Sequence, residues 1–215
     1  MSIKENLISV PVEGKGILQG DLQIPKGARA IVVFAHGSGS SRHSPRNRQV
    51  AQTLQQGGVA TLLIDLLTPE EGAADERTAA LRFDIALLTD RLCQVTRWLK
   101  MSKEAKHLQV GYFGASTGAA AALCAAAELK GEVVAVVSRG GRPDLASDAL
   151  PEVEAPTLLI VGGNDTPVIA MNRSAYALLR CEKKMIIVPG ATHLFEEAGT
   201  LEEVARLALD WFLKI

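Results

Sequence analysis

Five residues, Gly114-Ala115-Ser116-Thr117-Gly118, constrain the fold of this chain more than any others, because of what flanks them. Before them stands the strand-like segment Leu108-Gln109-Val110-Gly111-Tyr112-Phe113. After them come residues 119–129, dominated by alanine, which read as a helix. A Gly-x-Ser-x-Gly between strand and helix forces a tight, strained turn that lifts the serine hydroxyl out of the sheet. Glycine is needed at each flank because a Cβ there would meet the backbone of a neighbouring strand or helix. The five-residue pattern alone is common by chance. In this setting it predicts a nucleophile.

The rest of the chain repeats the alternation. Two short alternating segments, 7–12 and 17–24, are separated by Gly14 and Gly16 and read as an antiparallel edge. Solid apolar runs at 30–35, 59–66, 133–137 and 157–161 mark strands buried on both faces, with a further strand at 185–188. Helices are expected at 45–56, with Pro45 in its first turn and Gly57-Gly58 as its stop, and at 168–179 and 201–213. Residues 68–76 read as a polar loop leading into one long amphipathic helix over 78–100. Strands alternating with helices imply an α/β fold, a mainly parallel sheet with helices on both faces. No repeat, low-complexity tract or linker divides the chain, so residues 1–215 are expected to form one domain.

Composition excludes several classes of function. At 215 residues and 47% hydrophobic content the chain can bury a large core, and with 4% aromatic residues that core must be aliphatic. A net charge of −1 argues against nucleic acid or an anionic membrane as partner. The apolar runs are strand-length, so no transmembrane helix is expected, and the first six residues lack the apolar core of a secretory signal. Cys93, Cys124 and Cys181 are odd in number and lack metal-ligand spacing. Cys93 and Cys124 fall in helical apolar patterns and read as small buried hydrophobes, which fits a cytoplasmic protein with reduced thiols.

In open parallel sheets ligands gather at the carboxyl ends of the strands. There the sequence places His36-Gly37-Ser38-Gly39, Asp65, Ser116, Arg139-Gly140-Gly141-Arg142, Gly162-Gly163-Asn164-Asp165 and Gly190-Ala191-Thr192-His193. A serine hydroxyl needs a base to take its proton, and the base needs a third group to fix its tautomer. Ser116, Asp165 and His193 occur in the order Ser, Asp, His, each just past a strand. Ser116 is therefore assigned as nucleophile, His193 as general base and then acid, and Asp165 as the group orienting the imidazole. The bland alternative makes Asp165 a turn residue and His193 a loop histidine. Oxyanion donors are expected from the amide of Thr117 and from the turn after the third strand, where the amide of Ser38 is preferred to that of Gly37. His36 itself reads as a structural hydrogen-bonder. A phosphate-cradling role for this turn is weak, since no Gly-Lys-Ser/Thr or Gly-x-Gly-x-x-Gly follows.

These segments together resemble the α/β-hydrolase superfamily, and more narrowly its dienelactone hydrolase-like group, over nearly the whole chain. Residues 40–47 and 138–144 look like a bacterial subgroup of uncharacterised hydrolases, members of which occur joined to phosphoribosyltransferase-like domains; no such domain is read here. The resemblance implies an eight-stranded sheet and hydrolysis of carboxyl-ester-type substrates. Dienelactone hydrolases proper use cysteine as nucleophile where this chain has Ser116, so the scaffold and acyl chemistry carry over and the dienelactone substrate does not.

Fewer than twenty residues separate the strand ending at Ser138 from the one beginning near Thr157, too few for a large cap. The pocket is expected to be open, shaded only by residues 68–76, and suited to small or polar acyl groups. Arg42, Arg46, Arg48, Arg139 and Arg142 cluster at strand ends, and guanidinium forks bind carboxylate or phosphate. One expectation is a substrate with an anionic group held by Arg139 and Arg42. The other is that these arginines tie loops through Asp144, Asp65 or backbone carbonyls.

The sequence thus points to a serine hydrolase acting on a small-molecule ester or thioester, without cofactor or metal. Two alternatives stay open: an acyltransferase or peptidase on the same scaffold, and a ligand-binding or receptor protein with little turnover. The edge strand or the last helix offers a surface for a homodimer, and nothing in the residues selects one.

Overall fold

The computed structural model describes residues 6–14 and 16–214, so the reading of the N-terminus as lacking a signal lies almost wholly outside the described residues. Eight strands form one sheet: β1 (Asn6–Val12), β2 (Gly16–Gln23), β3 (Ala30–Ala35), β4 (Ala60–Ile64), β5 (Gln109–Ala115), β6 (Val133–Arg139), β7 (Thr157–Gly162) and β8 (Lys183–Val188). Their order is β1-β2-β4-β3-β5-β6-β7-β8. β2 runs antiparallel to both β1 and β4, and every pairing from β4 through β8 is parallel. The antiparallel N-terminal edge and the parallel remainder match the expectation from the sequence.

Helices cover both faces. Helices α1 (Pro45–Gln56) and α6 (Thr200–Phe212) lie on one side, where Val50, Leu54, Val204 and Trp211 belong to one core with Val32, Phe34, Phe113 and Val137. On the other side α3 (Ile85–Met101), α4 (Thr117–Glu128) and α5 (Thr166–Leu178) contribute Leu92, Leu123 and Ala175 to a second core with Val33, Tyr112 and Leu159. Alternate residues of each central strand thus enter different cores, which is why β3 is apolar throughout. The alanines of α4 have the same origin. Ala119, Ala120, Ala121 and Ala122 are all fully buried, and larger side chains there would overpack the space between β5 and α3.

Two expectations need correction. Residues 68–76 are not a loop: helix α2 (Pro69–Thr78) is capped by Thr68, whose hydroxyl accepts from the Glu71 amide while the Glu71 carboxylate accepts from the Thr68 amide. Nor is 78–100 one helix. The chain leaves α2 through Ala79 at φ 53, makes a 3-10 turn at Leu81–Phe83, and starts α3 at Ile85 with Asp84 as its cap. Glu71 also accepts from Arg91 of α3 at 2.7 Å, and Arg91 is almost wholly buried, so this ion pair docks α2 onto α3.

Between β6 and β7 the chain makes only two short 3-10 turns, Pro143–Ala146 and Leu150–Glu152, and no cap domain is built there. Among the described residues no helix is long and apolar enough to cross a membrane. Cys93, Cys124 and Cys181 are free thiols; Cys93 is buried as expected, whereas Cys124 is only half-buried.

Candidate active site

Ser116 sits at φ 51 and ψ −122, a conformation that residues with a Cβ rarely adopt. Two close approaches hold it there. A Cβ on Gly114 would lie 2.4 Å from the Ala119 Cα in α4, and one on Gly118 would lie 2.2 Å from the Ala35 carbonyl oxygen of β3. Only glycine lets strand, turn and helix pack this tightly, as the sequence pattern implied. Ser116 is half-buried, and its side chain makes no hydrogen bond among the described residues.

Asp165 and His193 come together across neighbouring strand ends. Asp165 occupies the N-cap position of α5, yet its carboxylate makes no capping bond; it faces His193 Nδ1 at 2.7 Å instead. The loop bearing His193 crosses close over the end of β7. A Cβ on Gly162 would lie 2.5 Å from the carbonyl oxygens of Ala191 and Thr192, and the Asn164 amide donates to the Ala191 carbonyl at 2.9 Å. Glu197 closes the loop, accepting from the Thr192 amide at 3.1 Å and hydroxyl at 2.6 Å, and these bonds hold its carboxyl below the usual value. No hydrogen bond joins His193 to Ser116 among the described residues. The Asp165–His193 pair is formed, whereas Ser116 is not joined to it.

The turn after β3 packs against Ser116. A Cβ on Gly37 would lie 3.0 Å from the Ser116 Cβ. The Ser38 amide donates to Thr117 Oγ1 at 2.9 Å, so it is aimed at the residue that follows Ser116 and is already engaged there. His36 is structural. Its Nδ1 donates to the Gly37 carbonyl at 3.0 Å, its Nε2 accepts from the Leu66 amide at 3.1 Å, and burial keeps it neutral by pushing its pKa down.

The arginines divide sharply. Arg42 binds Asp65 through both its amide and its guanidinium and lies 3.6 Å from Asp21; Arg48 reaches Asp21 at 3.1 Å. Arg142 forks onto Asp144 at 2.8 Å. For these the loop-tying alternative describes what is seen, although Arg42 also lines a cavity. Arg139, which is only 6% exposed, reaches no carboxylate among the described residues. Its Nη2 donates to Asn47 Oδ1 at 3.3 Å and its guanidinium stands 5.9 Å from the centre of the Phe195 ring. Asn47 and Phe195 escaped the sequence reading. Asn47 looked like one more polar residue in a helical first turn, and nothing local to Phe195 signals a cation across the chain.

A cavity of about 510 Å³ opens beside the turn after β3, lined among others by Ser38, Arg42, Leu67, Asp75 and Arg82. Ser116 and His193 are not among the residues that line it. Its far wall is α2 and the turn that follows.

An eight-stranded, mainly parallel sheet with helices on both faces and a Gly-x-Ser-x-Gly turn leading into α4 is the α/β-hydrolase fold. Within it, residues 18–211 match the family model described as the dienelactone hydrolase family, and the chain belongs to that family. It is 62% identical to a crystallised dienelactone hydrolase from Anabaena variabilis, with a TM-score of 0.96, covering 98% of this chain and 97% of that one. Est1E from Butyrivibrio proteoclasticus shares the fold at 16% identity, with a TM-score of 0.81 over 97% of this chain and 98% of that one. The chain is also 59% identical over 202 residues to a Mycobacterium tuberculosis (strain H37Rv) protein provisionally named a phosphoribosyl transferase. That match covers 94% of this chain and 45% of the relative, whose name describes a chain about twice as long.

Proposed function

We propose that this member of a hydrolase family is a serine hydrolase that cleaves a small carboxylic ester or thioester through an acyl-enzyme intermediate. The observation that carries the reading is the 2.7 Å bond between Asp165 and His193 Nδ1, on strand ends beside a serine held at φ 51. With Nδ1 donating to the carboxylate, Nε2 is left as the basic nitrogen. The Ser116 proton passes to Nε2 as Oγ bonds to the acyl carbon. The C–O or C–S bond then breaks, and the leaving alcohol or thiol takes that proton. Water repeats the sequence: its proton goes to Nε2, its oxygen bonds to the acyl carbon, and the acid leaves as Ser116 recovers its proton.

The negative charge on the tetrahedral oxygen is met by backbone amides. The amide of Thr117 opens α4, where first-turn amides have no partner within the helix. The amide of Ser38 donates to the Thr117 hydroxyl, so it serves as the second donor only by exchanging that acceptor for the tetrahedral oxygen. Loss of one such donor lowers turnover by about 10²- to 10³-fold. With only two short 3-10 turns between β6 and β7 and no cap domain over the strand ends, a small or polar acyl group suits the site better than a long chain. The chemistry calls for no metal or cofactor.

The test is hydrolysis of a series of 4-nitrophenyl esters from acetate to dodecanoate. Turnover is expected to be greatest for the short acyl groups and to vanish in Ser116→Ala. A folded protein that hydrolyses none of them, or whose activity survives Ser116→Ala, contradicts the proposal.

A further inference from the structure

We propose that Arg139 and Arg46, beside the first turn of α1, form a subsite for an oxyacid anion, a carboxylate or phosphoryl group carried by the substrate that Ser116 attacks. The inference rests on the ester-hydrolase reading above.

When this chain buries an arginine for structural reasons it supplies a carboxylate. Arg91, 1% exposed, has Glu71 at 2.7 Å. Arg139 is buried almost as deeply and meets only the neutral oxygen of Asn47 and the face of Phe195. Its Nε is buried with no hydrogen-bond partner, as are those of Arg91 and Arg42, so what sets Arg139 apart is the missing carboxylate. The charge on Arg46 makes matters worse rather than better. Arg46, in the first turn of α1, has its own buried, unpartnered Nε, and only its Nη1 is occupied, by the exposed Glu196 carboxylate at 2.9 Å. Burial, with Arg46 alongside, pushes the Arg139 guanidinium down to about 10, which leaves it charged at neutral pH. The first turn of α1 contains no acidic residue, so the positive end of the helix is not offset there.

An isolated buried cation is costly, and an anion carried in by the substrate would both pair it and supply acceptors for the two stranded Nε–H groups. The location fits such a role. The Arg139 carbonyl accepts from the Ser116 amide at 3.4 Å, and a Cβ on the next residue, Gly140, would lie 2.9 Å from the His193 carbonyl oxygen. The backbone of Arg139 therefore touches that of Ser116, and its guanidinium reaches the ring of Phe195, two residues past His193. Arg42, expected to share this work, is instead committed to Asp65 and Asp21.

The experiment compares three 4-nitrophenyl esters of similar length: a succinate monoester, a 3-phosphonopropionate ester and the neutral butyrate. Wild-type protein is expected to favour one or both anionic esters, and the preferred arm identifies the group as carboxylate or phosphoryl. Arg139→Gln and Arg46→Gln should each lower the anionic-to-neutral ratio of kcat/KM by about ten- to hundredfold, mostly through KM, the range expected for hydrogen bonds to a charged group. Arg139→Lys should restore part of the ratio, and Arg206→Gln on the exposed face of α6 should leave it unchanged. Should Arg139→Gln fail to fold, Arg46→Gln carries the test. A second readout needs no turnover: succinate or inorganic phosphate should raise the Tm of Ser116→Ala protein, and adding Arg139→Gln should abolish that rise.

Neutral esters cleaved as fast as anionic ones, or a ratio unmoved by both arginine variants, would overturn the subsite and leave the hydrolase reading standing. An Arg139-dependent rise in Tm without cleavage of any ester would uphold the anion site and overturn the hydrolase reading. Neither cleavage nor a rise in Tm would overturn both.

Discussion

Strands β5 and β6 end side by side, Ala115 paired with Arg139, yet their two ends are completed in different ways. Past β5 the turn is fixed entirely from within. Backbone of β3 and α4 presses on Gly118 and Gly114, and Ser116 is held in a conformation that it would not choose alone. At the end of β6 the chain places a guanidinium in a buried position and leaves its Nε without a partner. One end stores backbone strain and the other stores unpaired charge. Each costs stability.

The comparison can be broken at either end. The largest effect belongs to the nucleophile: Ser116→Ala should lower ester turnover by about 10⁴- to 10⁶-fold in steady-state kinetics while leaving the melting temperature near that of wild type. Next is the frame around it. Gly118→Ala drives a methyl group into the Ala35 carbonyl, 2.2 Å away, and should cost at least about 3 kcal/mol in denaturant unfolding. A loss below 1 kcal/mol would show that the turn is not built by close approach.

Smaller effects separate strain from charge. Ser116→Gly should be as inactive as Ser116→Ala but more stable, by roughly 1 kcal/mol or about 2–4 °C in Tm, because glycine accepts φ 51 without strain. At the other end, Arg139→Met should change stability by less than about 1 kcal/mol despite its burial, since an uncompensated charge is removed along with one neutral hydrogen bond. A cost above about 3 kcal/mol would make Arg139 a structural residue. The smallest effect is a pH dependence. Burial holds the His36 imidazole below its usual 6.5, so the unfolded chain binds a proton that the folded one refuses, and stability falls as the pH drops below about 6.5. Thermal melts at pH 7 and pH 5 should differ less for His36→Gln than for wild type.

What could be read in the sequence follows the same division. The sheet, its antiparallel edge, the glycine-framed serine and the absence of a cap all express local pattern: apolar runs of strand length, glycines at fixed offsets, too few residues for a cap. Helix α2 was legible in principle, because Thr68-Pro69-Glu70-Glu71 carries a capping box and a proline in the first turn. It is hidden by its lack of apolar period: Asp75 is its one buried residue, and it is held by the pair Arg91–Glu71 rather than by a hydrophobic stripe. Whether an arginine is tied or idle cannot be seen in the chain at all. Arg142 has Asp144 two residues away, but the partners of Arg42 lie 21 and 23 positions off, and the isolation of Arg139 appears only once β6, α1 and the Phe195 loop are assembled.

The most direct test of the central claim is covalent. Folded protein treated with a fluorophosphonate should gain one adduct by intact mass, peptide mapping should place it on Ser116, and His193→Ala should slow its formation by several orders of magnitude. A folded sample that takes up no label, or takes it up on another residue at an undiminished rate in Ser116→Ala, would contradict the assignment of Ser116 as nucleophile.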